Sequence, residues 1–243
     1  MAKVGTSSIS HNLNIPYKHK HFLSAKSFSA NISNYSKVST TGKSVDIIKT
    51  FNPIFGLLFR IKKRRIITMF RDPYSRNTSS MFQFLVGLLQ HHNPAGIENK
   101  QKNTSELLDY YFSNHVRHDL PFKWFDEEFK EATKIDIFEY PFDKEKGYII
   151  IKKGKFEVLL ITLEKLNDNE QTIRDFIDDQ SFVLTHKNDG SKKWYSDLYA
   201  NFKERHFLNE EELRFYYDND VVRHFYMDEQ IEQFKLKWSK KVD

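Results

Sequence analysis

Cysteine is absent from the 243 residues, which removes disulfides, thiolate zinc sites and cysteine nucleophiles together and fits a reducing compartment. Any covalent chemistry must use another residue. Long apolar runs are missing too: no stretch approaches the roughly 18 apolar residues of a membrane span, and the N-terminus lacks the apolar core of a signal peptide. The expected address is the cytoplasm, including the inner face of the membrane, with no integral membrane segment. Acidic residues are scarce in the first hundred positions, which hold 3 Asp/Glu against 15 Lys/Arg, a balance of +12. Residues 101–243 carry 30 against 23, a balance of −7, so the net +5 hides a basic first part suited to an anion. Nucleic acid, an acidic membrane surface and a polyanionic small ligand all fit that field.

Apolar material is ample, since aromatics make up 15% of the chain and phenylalanine alone contributes 22 residues. The length and pattern fit one α/β domain over residues 1–243. Tyr17 to Leu23 reads as a short strand, and Ile66 to Phe70 as a buried strand with the basic lead-in Lys62-Lys63-Arg64-Arg65. A helix follows, with Pro73 in its first turn and Phe82, Leu85, Val86 and Leu89 at helical spacing until His91-His92-Asn93-Pro94. Tyr148 to Ile151 and Phe156 to Leu163 are apolar runs around Lys152-Lys153-Gly154-Lys155, a hairpin signal, and the second leads into Glu164. Asn209 and Asp228 are expected helix N-caps in a helical C-terminal third. Residues 24–46, rich in Ser, Thr and Asn, read as an exposed connection or a substrate loop.

Two segments carry phosphate chemistry. Lys3-Val4-Gly5-Thr6-Ser7-Ser8 combines a glycine that lets backbone N–H groups approach a ligand, three hydroxyl residues in line and a lysine at the mouth. A Ser-rich tail is the plainer reading of the same residues, and the Gly-x-x-x-x-Gly-Lys-Ser/Thr of nucleotide triphosphatases is not there. The second segment, Arg71-Asp72-Pro73-Tyr74-Ser75-Arg76-Asn77-Thr78-Ser79, stands where a buried strand ends and a helix begins, the edge at which open α/β sheets bind ligands. Arg71 can offer paired hydrogen bonds and Ser79 a single one to the same phosphate. The alternative there is a helix start with an Arg–Asp surface pair.

Together these segments resemble the two nucleotide-binding motifs of sulfotransferases that use 3′-phosphoadenosine 5′-phosphosulfate. The resemblance implies that Lys3, Val4, Gly5, Thr6, Ser7 and Ser8 hold the 5′-phosphosulfate, and that Arg71 and Ser79 hold the 3′-phosphate. Lys193-Trp194-Tyr195-Ser196, with Lys192 in place of the leading asparagine, is similar to the Asn-Lys-Trp-Tyr-Ser signature of the putative capsular polysaccharide synthesis proteins. Trp124 to Glu128, Tyr140 to Lys144, and His224-Phe225-Tyr226 ahead of Trp238 support that likeness. By the same likeness Lys193 reaches a cofactor phosphate, whereas Trp194 and Tyr195 read as core aromatics. The implied fold is a three-layer α/β arrangement around a central, mostly parallel sheet, P-loop-like. Its first strand is expected to be missing, because only Met1 and Ala2 precede Lys3.

The resemblance further implies a nucleotide cosubstrate, 3′-phosphoadenosine 5′-phosphosulfate, and a polysaccharide or glycolipid acceptor, with no metal and no nucleic acid as partner. Sulfuryl transfer needs a base for the attacking hydroxyl and a positive group for the leaving phosphate oxygen. Lys3 fits the second role. His21, with His19 on the same strand face, fits the first, and the pair is similar to the His-x-His of uronyl 2-O-sulfotransferases. Two other readings stay open: a non-catalytic, truncated relative that holds an anionic glycan or nucleotide, and a nucleotide phosphotransferase.

Overall fold

The computed structural model describes Ile9, Leu13 and residues 63–92, 108–114, 116–185 and 195–239, with the side chains of 83–92 left aside. Strand β1 (Arg64–Phe70) is followed by helix α1 (Pro73–His92). Residues 108–114 are helical. Helix α2 (Leu120–Trp124), a π-helical stretch (Phe125–Lys130) and α3 (Glu131–Thr133) then run on from one another. Strands β2 (Tyr148–Lys153) and β3 (Phe156–Thr162) come next. Helices α4 (Glu170–Ile177), α5 (Ser196–Arg205), α6 (Glu210–Tyr217), α7 (Asp220–Phe225) and α8 (Asp228–Trp238) complete the order.

The expected mostly parallel sheet is corrected by what is observed. Among the described residues the sheet has three strands in the order β1-β3-β2, with β1 parallel and β2 antiparallel to β3. The reason is the hairpin. Only Gly154 and Lys155 separate β2 from β3, Gly154 at φ 59°, and two strands joined by so short a turn can only run antiparallel. The parallel pair needs a crossover, which residues 71–155 supply. The described residues show a small mixed sheet with many helices and do not show the expected three-layer, P-loop-like arrangement; the expected missing strand before Lys3 lies outside them.

β3 is the central strand, and its burial runs unbroken from Val158 to Thr162. That explains why Val158 to Ile161 form a continuous apolar run without alternation. β1 is exposed at Arg64 and Arg65 and fully buried at Thr68, Met69 and Phe70. Lys63, Arg64 and Arg65 are therefore a solvated lead-in, with Arg65 reaching Glu157 across the sheet at 3.5 Å. Among the described residues no helix is long and apolar enough to cross a membrane.

Aromatic side chains fill the space between sheet and helices. Phe70 stacks on Phe225 at 4.3 Å and lies 5.8 Å from Tyr226, so the last residue of β1 meets the end of α7. Tyr74 receives Phe112, Tyr216 and Trp238 edge-on at 5.5, 5.0 and 4.6 Å. Burying a ring of this size contributes about 1.5–3 kcal/mol, and each edge-on pair adds about 0.5–1.5 kcal/mol. Asn209 caps α6 as its sequence suggests, in a reciprocal box with Glu212. Asp228, by contrast, is the first helical residue of α8; the preceding Met227 N–H is capped by the Gln230 side chain at 3.1 Å.

Gly147 closes the approach to β2 at φ 72°, and a Cβ there would lie 2.4 Å from Lys165 Cβ and 2.9 Å from Thr162 Oγ1. Its carbonyl also accepts the Thr162 N–H at 2.9 Å, so the backbone cannot move away without losing a bond. Gly147→Ala is expected to lower stability by about 1–3 kcal/mol, through strain and overpacking together. The readout is a lower urea midpoint at unchanged slope.

Candidate anion site at the β1–α1 turn

Asp72 and Pro73 start α1 in the way their types favour: the carboxylate caps and the ring takes the first helical position. Asp72 Oδ1 accepts the N–H groups of Tyr74 and Ser75 at 3.1 and 3.3 Å. The Asp72 carbonyl accepts the Arg76 N–H at 2.9 Å. With Pro73 lacking a donor, the first-turn N–H groups are occupied internally, so an anion at this turn would be held by side chains and not by the helix backbone.

Of the alternative reading of this segment, a helix start with an Arg–Asp surface pair, the helix start is found and the surface pair is corrected, since Asp72 is 2% exposed. Ser75 Oγ bonds its Oδ2, Tyr217 donates to Oδ1 at 2.8 Å, and the Trp238 indole donates to Oδ2 at 3.1 Å. Lys237 Nζ stands 3.8 Å from Oδ2 and donates to Ser75 Oγ at 3.2 Å. One buried carboxylate thus joins the start of α1 to α6 and α8. Burial, then the Asp72 charge, pushes the Tyr217 hydroxyl far above its ordinary pKa, which keeps it a donor.

A second carboxylate lies alongside. Phe70 of β1 pairs with Thr162 of β3, and two residues beyond each stand Asp72 and Glu164. Glu164 Oε1 accepts the Asp72 N–H at 3.0 Å, and Oε2 accepts the Tyr226 hydroxyl at 2.6 Å. The Glu164 side chain is exposed to solvent, and the protein around its carboxylate desolvates it in part. That desolvation raises its pKa, opposed by the bonds from Asp72 N–H and Tyr226 and reinforced by the Asp72 charge.

Arg71 leaves the strand between these features and is half-buried. Its charge is felt by Arg76 and by Tyr226, which places all three in one neighbourhood. Arg76 is 3% exposed and donates to Asn77 Oδ1 at 2.8 Å. Burial first, and then the charge of Arg71, brings its pKa down to about 10, so it stays a cation at neutral pH. Asn77 in turn donates to the His118 carbonyl at 3.1 Å. Arg76 therefore belongs to the packed interior, whereas Arg71 is half-buried at the strand end, its Nε enclosed by protein.

Ser79 Oγ lies 3.2 Å from the Tyr199 hydroxyl of α5. That helix starts at Ser196, directly after Lys193-Trp194-Tyr195, and Phe82 packs on its Tyr195, Tyr199 and Phe202 at 5.8, 4.9 and 5.5 Å. Lys203 Nζ sits 4.5 Å over the Tyr199 ring. The structure thus brings Ser79 to the helix that the aromatic signature introduces, and Arg71 to Arg76 and Tyr226. Tyr195 is a core residue, 8% exposed. Lys3, Val4, Gly5, Thr6, Ser7, Ser8, His19, His21 and Lys193 lie outside the described residues.

Sequence reasoning passed over Asp72, Glu164, Tyr217 and Trp238 as a unit. The Asp-Pro pair at a strand-to-helix junction was the one local sign of a buried cap.

The family model described as putative capsular polysaccharide synthesis protein matches residues 97–227, more than half of the chain. The matched span includes Glu164, Tyr199, Tyr217 and Tyr226. No curated protein and no solved structure matches.

Proposed function

The chain belongs to that family of putative capsular polysaccharide synthesis proteins, and from this premise we propose that it is a sulfotransferase of the sulfotransferase-like superfamily. It would move a sulfuryl group from 3′-phosphoadenosine 5′-phosphosulfate to a hydroxyl of a capsular or other cell-surface polysaccharide or its precursor. The observation that carries the reading is the placement of Arg71 and Ser79. Arg71 leaves the buried end of a strand paired in parallel, and Ser79 lies on the following helix against the helix of the aromatic signature. A guanidinium and a hydroxyl are the donors a 3′-phosphate needs, and they follow the end of a parallel strand, the kind of edge at which open α/β sheets bind ligands.

In the proposed reaction the acceptor oxygen bonds to sulfur while the bond from sulfur to the nucleotide phosphate oxygen breaks. The acceptor proton passes to His21, with His19 beside it. Lys3, Val4, Gly5, Thr6, Ser7 and Ser8 are assigned to the 5′-phosphosulfate, with Lys3 offsetting charge on the leaving oxygen, and Lys193 to a further phosphate contact.

Calorimetry with 3′-phosphoadenosine 5′-phosphate tests the reading. Saturable binding, weakened at least tenfold when adenosine 5′-phosphate replaces it, is expected; no binding of either form overturns it. The +12 balance of the first hundred residues favours a second reading, a non-catalytic relative that holds an anionic glycan. Retention on an anionic polysaccharide column without sulfuryl transfer would support that one instead.

A further inference from the structure

We propose that Glu164 is a positioning residue that holds the Arg71–Asp72 peptide and so sets the direction in which Arg71 leaves β1. This rests on the reading of Arg71 as a phosphate ligand. The ladder between β1 and β3 ends at the pair Phe70 and Thr162. Beyond it β3 enters the short turn Leu163–Lys165 and the backbone pairing stops. Glu164 continues it by side chain, its Oε1 accepting the Asp72 N–H at 3.0 Å across 92 residues of sequence. The strand end is thereby fixed one peptide farther than the sheet itself reaches.

Direction follows from peptide planarity. The Asp72 N–H shares a rigid plane with the Arg71 carbonyl, so holding that N–H fixes ψ of Arg71, while the sheet fixes the residue before it. The side chain then has one launch vector from the strand. The carboxylate is itself secured, because Oε2 takes the hydroxyl of Tyr226, a residue 1% exposed that packs on Phe70 at 5.8 Å and Phe234 at 5.0 Å. The Asp72 charge disfavours ionisation of Glu164, and the charge of Arg71 is felt at Tyr226, which donates to Glu164.

The geometry separates this role from catalysis. Each carboxylate oxygen already accepts one donor from the protein, and the residue acts on an anion through Arg71.

The experiment is a double-mutant cycle on the full chain with Arg71→Ala and Glu164→Ala, read by calorimetry with 3′-phosphoadenosine 5′-phosphate and adenosine 5′-phosphate. Glu164→Ala is expected to weaken the 3′-phosphorylated nucleotide about tenfold, the effect of one displaced charge-assisted bond. Adenosine 5′-phosphate should change less than about threefold. The double variant should bind no more weakly than Arg71→Ala alone. Glu164→Gln keeps an acceptor for the Asp72 N–H and should restore binding to within about threefold of the parent. Additive losses, or no rescue by glutamine, overturn the proposal. Hydrogen exchange at the Asp72 amide needs no nucleotide: faster exchange in Glu164→Ala than in Glu164→Gln is expected, and equal rates overturn the brace. A parent protein that binds neither nucleotide would sink the functional reading, while the exchange result would still decide whether Glu164 holds the peptide.

Discussion

Asp72→Ala should be the most destabilising single change at this site, by about 3–5 kcal/mol, the range for removing one partner of a buried charged network. Three losses combine. The helix cap accounts for about 1 kcal/mol, since the Tyr74 and Ser75 N–H groups lose their acceptor. Tyr217 and Trp238 are 0% and 3% exposed, so their donors would be stranded without water. Each stranded donor costs about 1–3 kcal/mol. Relief from burying a carboxylate offsets part of the sum, which is why it does not exceed the stated range. Asp72→Asn is the informative companion. It keeps an oxygen for the two N–H groups and for Tyr217, but turns an amide donor toward the Trp238 indole N–H and Lys237. A loss of about 1–3 kcal/mol is expected, intermediate between parent and alanine. Urea midpoints followed by tryptophan fluorescence would order the three proteins. An asparagine variant as unstable as alanine would mean that charge, and not acceptor geometry, holds the turn.

Local pattern made much of this fold legible. The strand ending at Phe70, Pro73 at the helix start, the hairpin around Gly154 and the Asn209 cap were all readable because each is decided within a few residues by period, φ preference or side-chain capping. The sheet's pairing sense was misjudged for the opposite reason. Parallel order came from the implied fold, while the hairpin signal in the same segment already required one antiparallel pair. The carboxylate network was illegible in a different way. Asp72 meets partners 92, 145 and 166 residues away, and no periodicity encodes such distances. Its charge kept a surface pair open as the alternative reading, because an aspartate is rarely buried without donors whose positions only the fold supplies. Tyr226 and Trp238 did stand out in sequence, as companions of the aromatic signature. Their part in the site is to donate hydrogen bonds to Glu164 and Asp72.

The same distinction between edge and interior sets the largest expected effect on binding, in which two arginines five residues apart behave differently. Arg71→Ala should weaken 3′-phosphoadenosine 5′-phosphate about 30- to 100-fold, the effect of losing paired charge-assisted hydrogen bonds to a phosphate. Its stability should stay within about 1 kcal/mol of the parent, because Arg71 is half-buried and its loss relieves repulsion at Arg76. Arg76→Ala should do the reverse. That guanidinium is 3% exposed and bonded to Asn77, whose amide reaches the His118 carbonyl, so its removal opens a cavity and loosens the packing of α1. A stability loss of about 2–4 kcal/mol is expected, with affinity in the folded fraction reduced only a few-fold through the weaker positive field. Adenosine 5′-phosphate supplies the internal control: if Arg71 addresses the 3′-phosphate, its removal should barely alter the weak binding of the nucleotide that lacks one. Equal affinity losses in the two variants, or an Arg71 effect that persists without the 3′-phosphate, would move the phosphate contact away from Arg71.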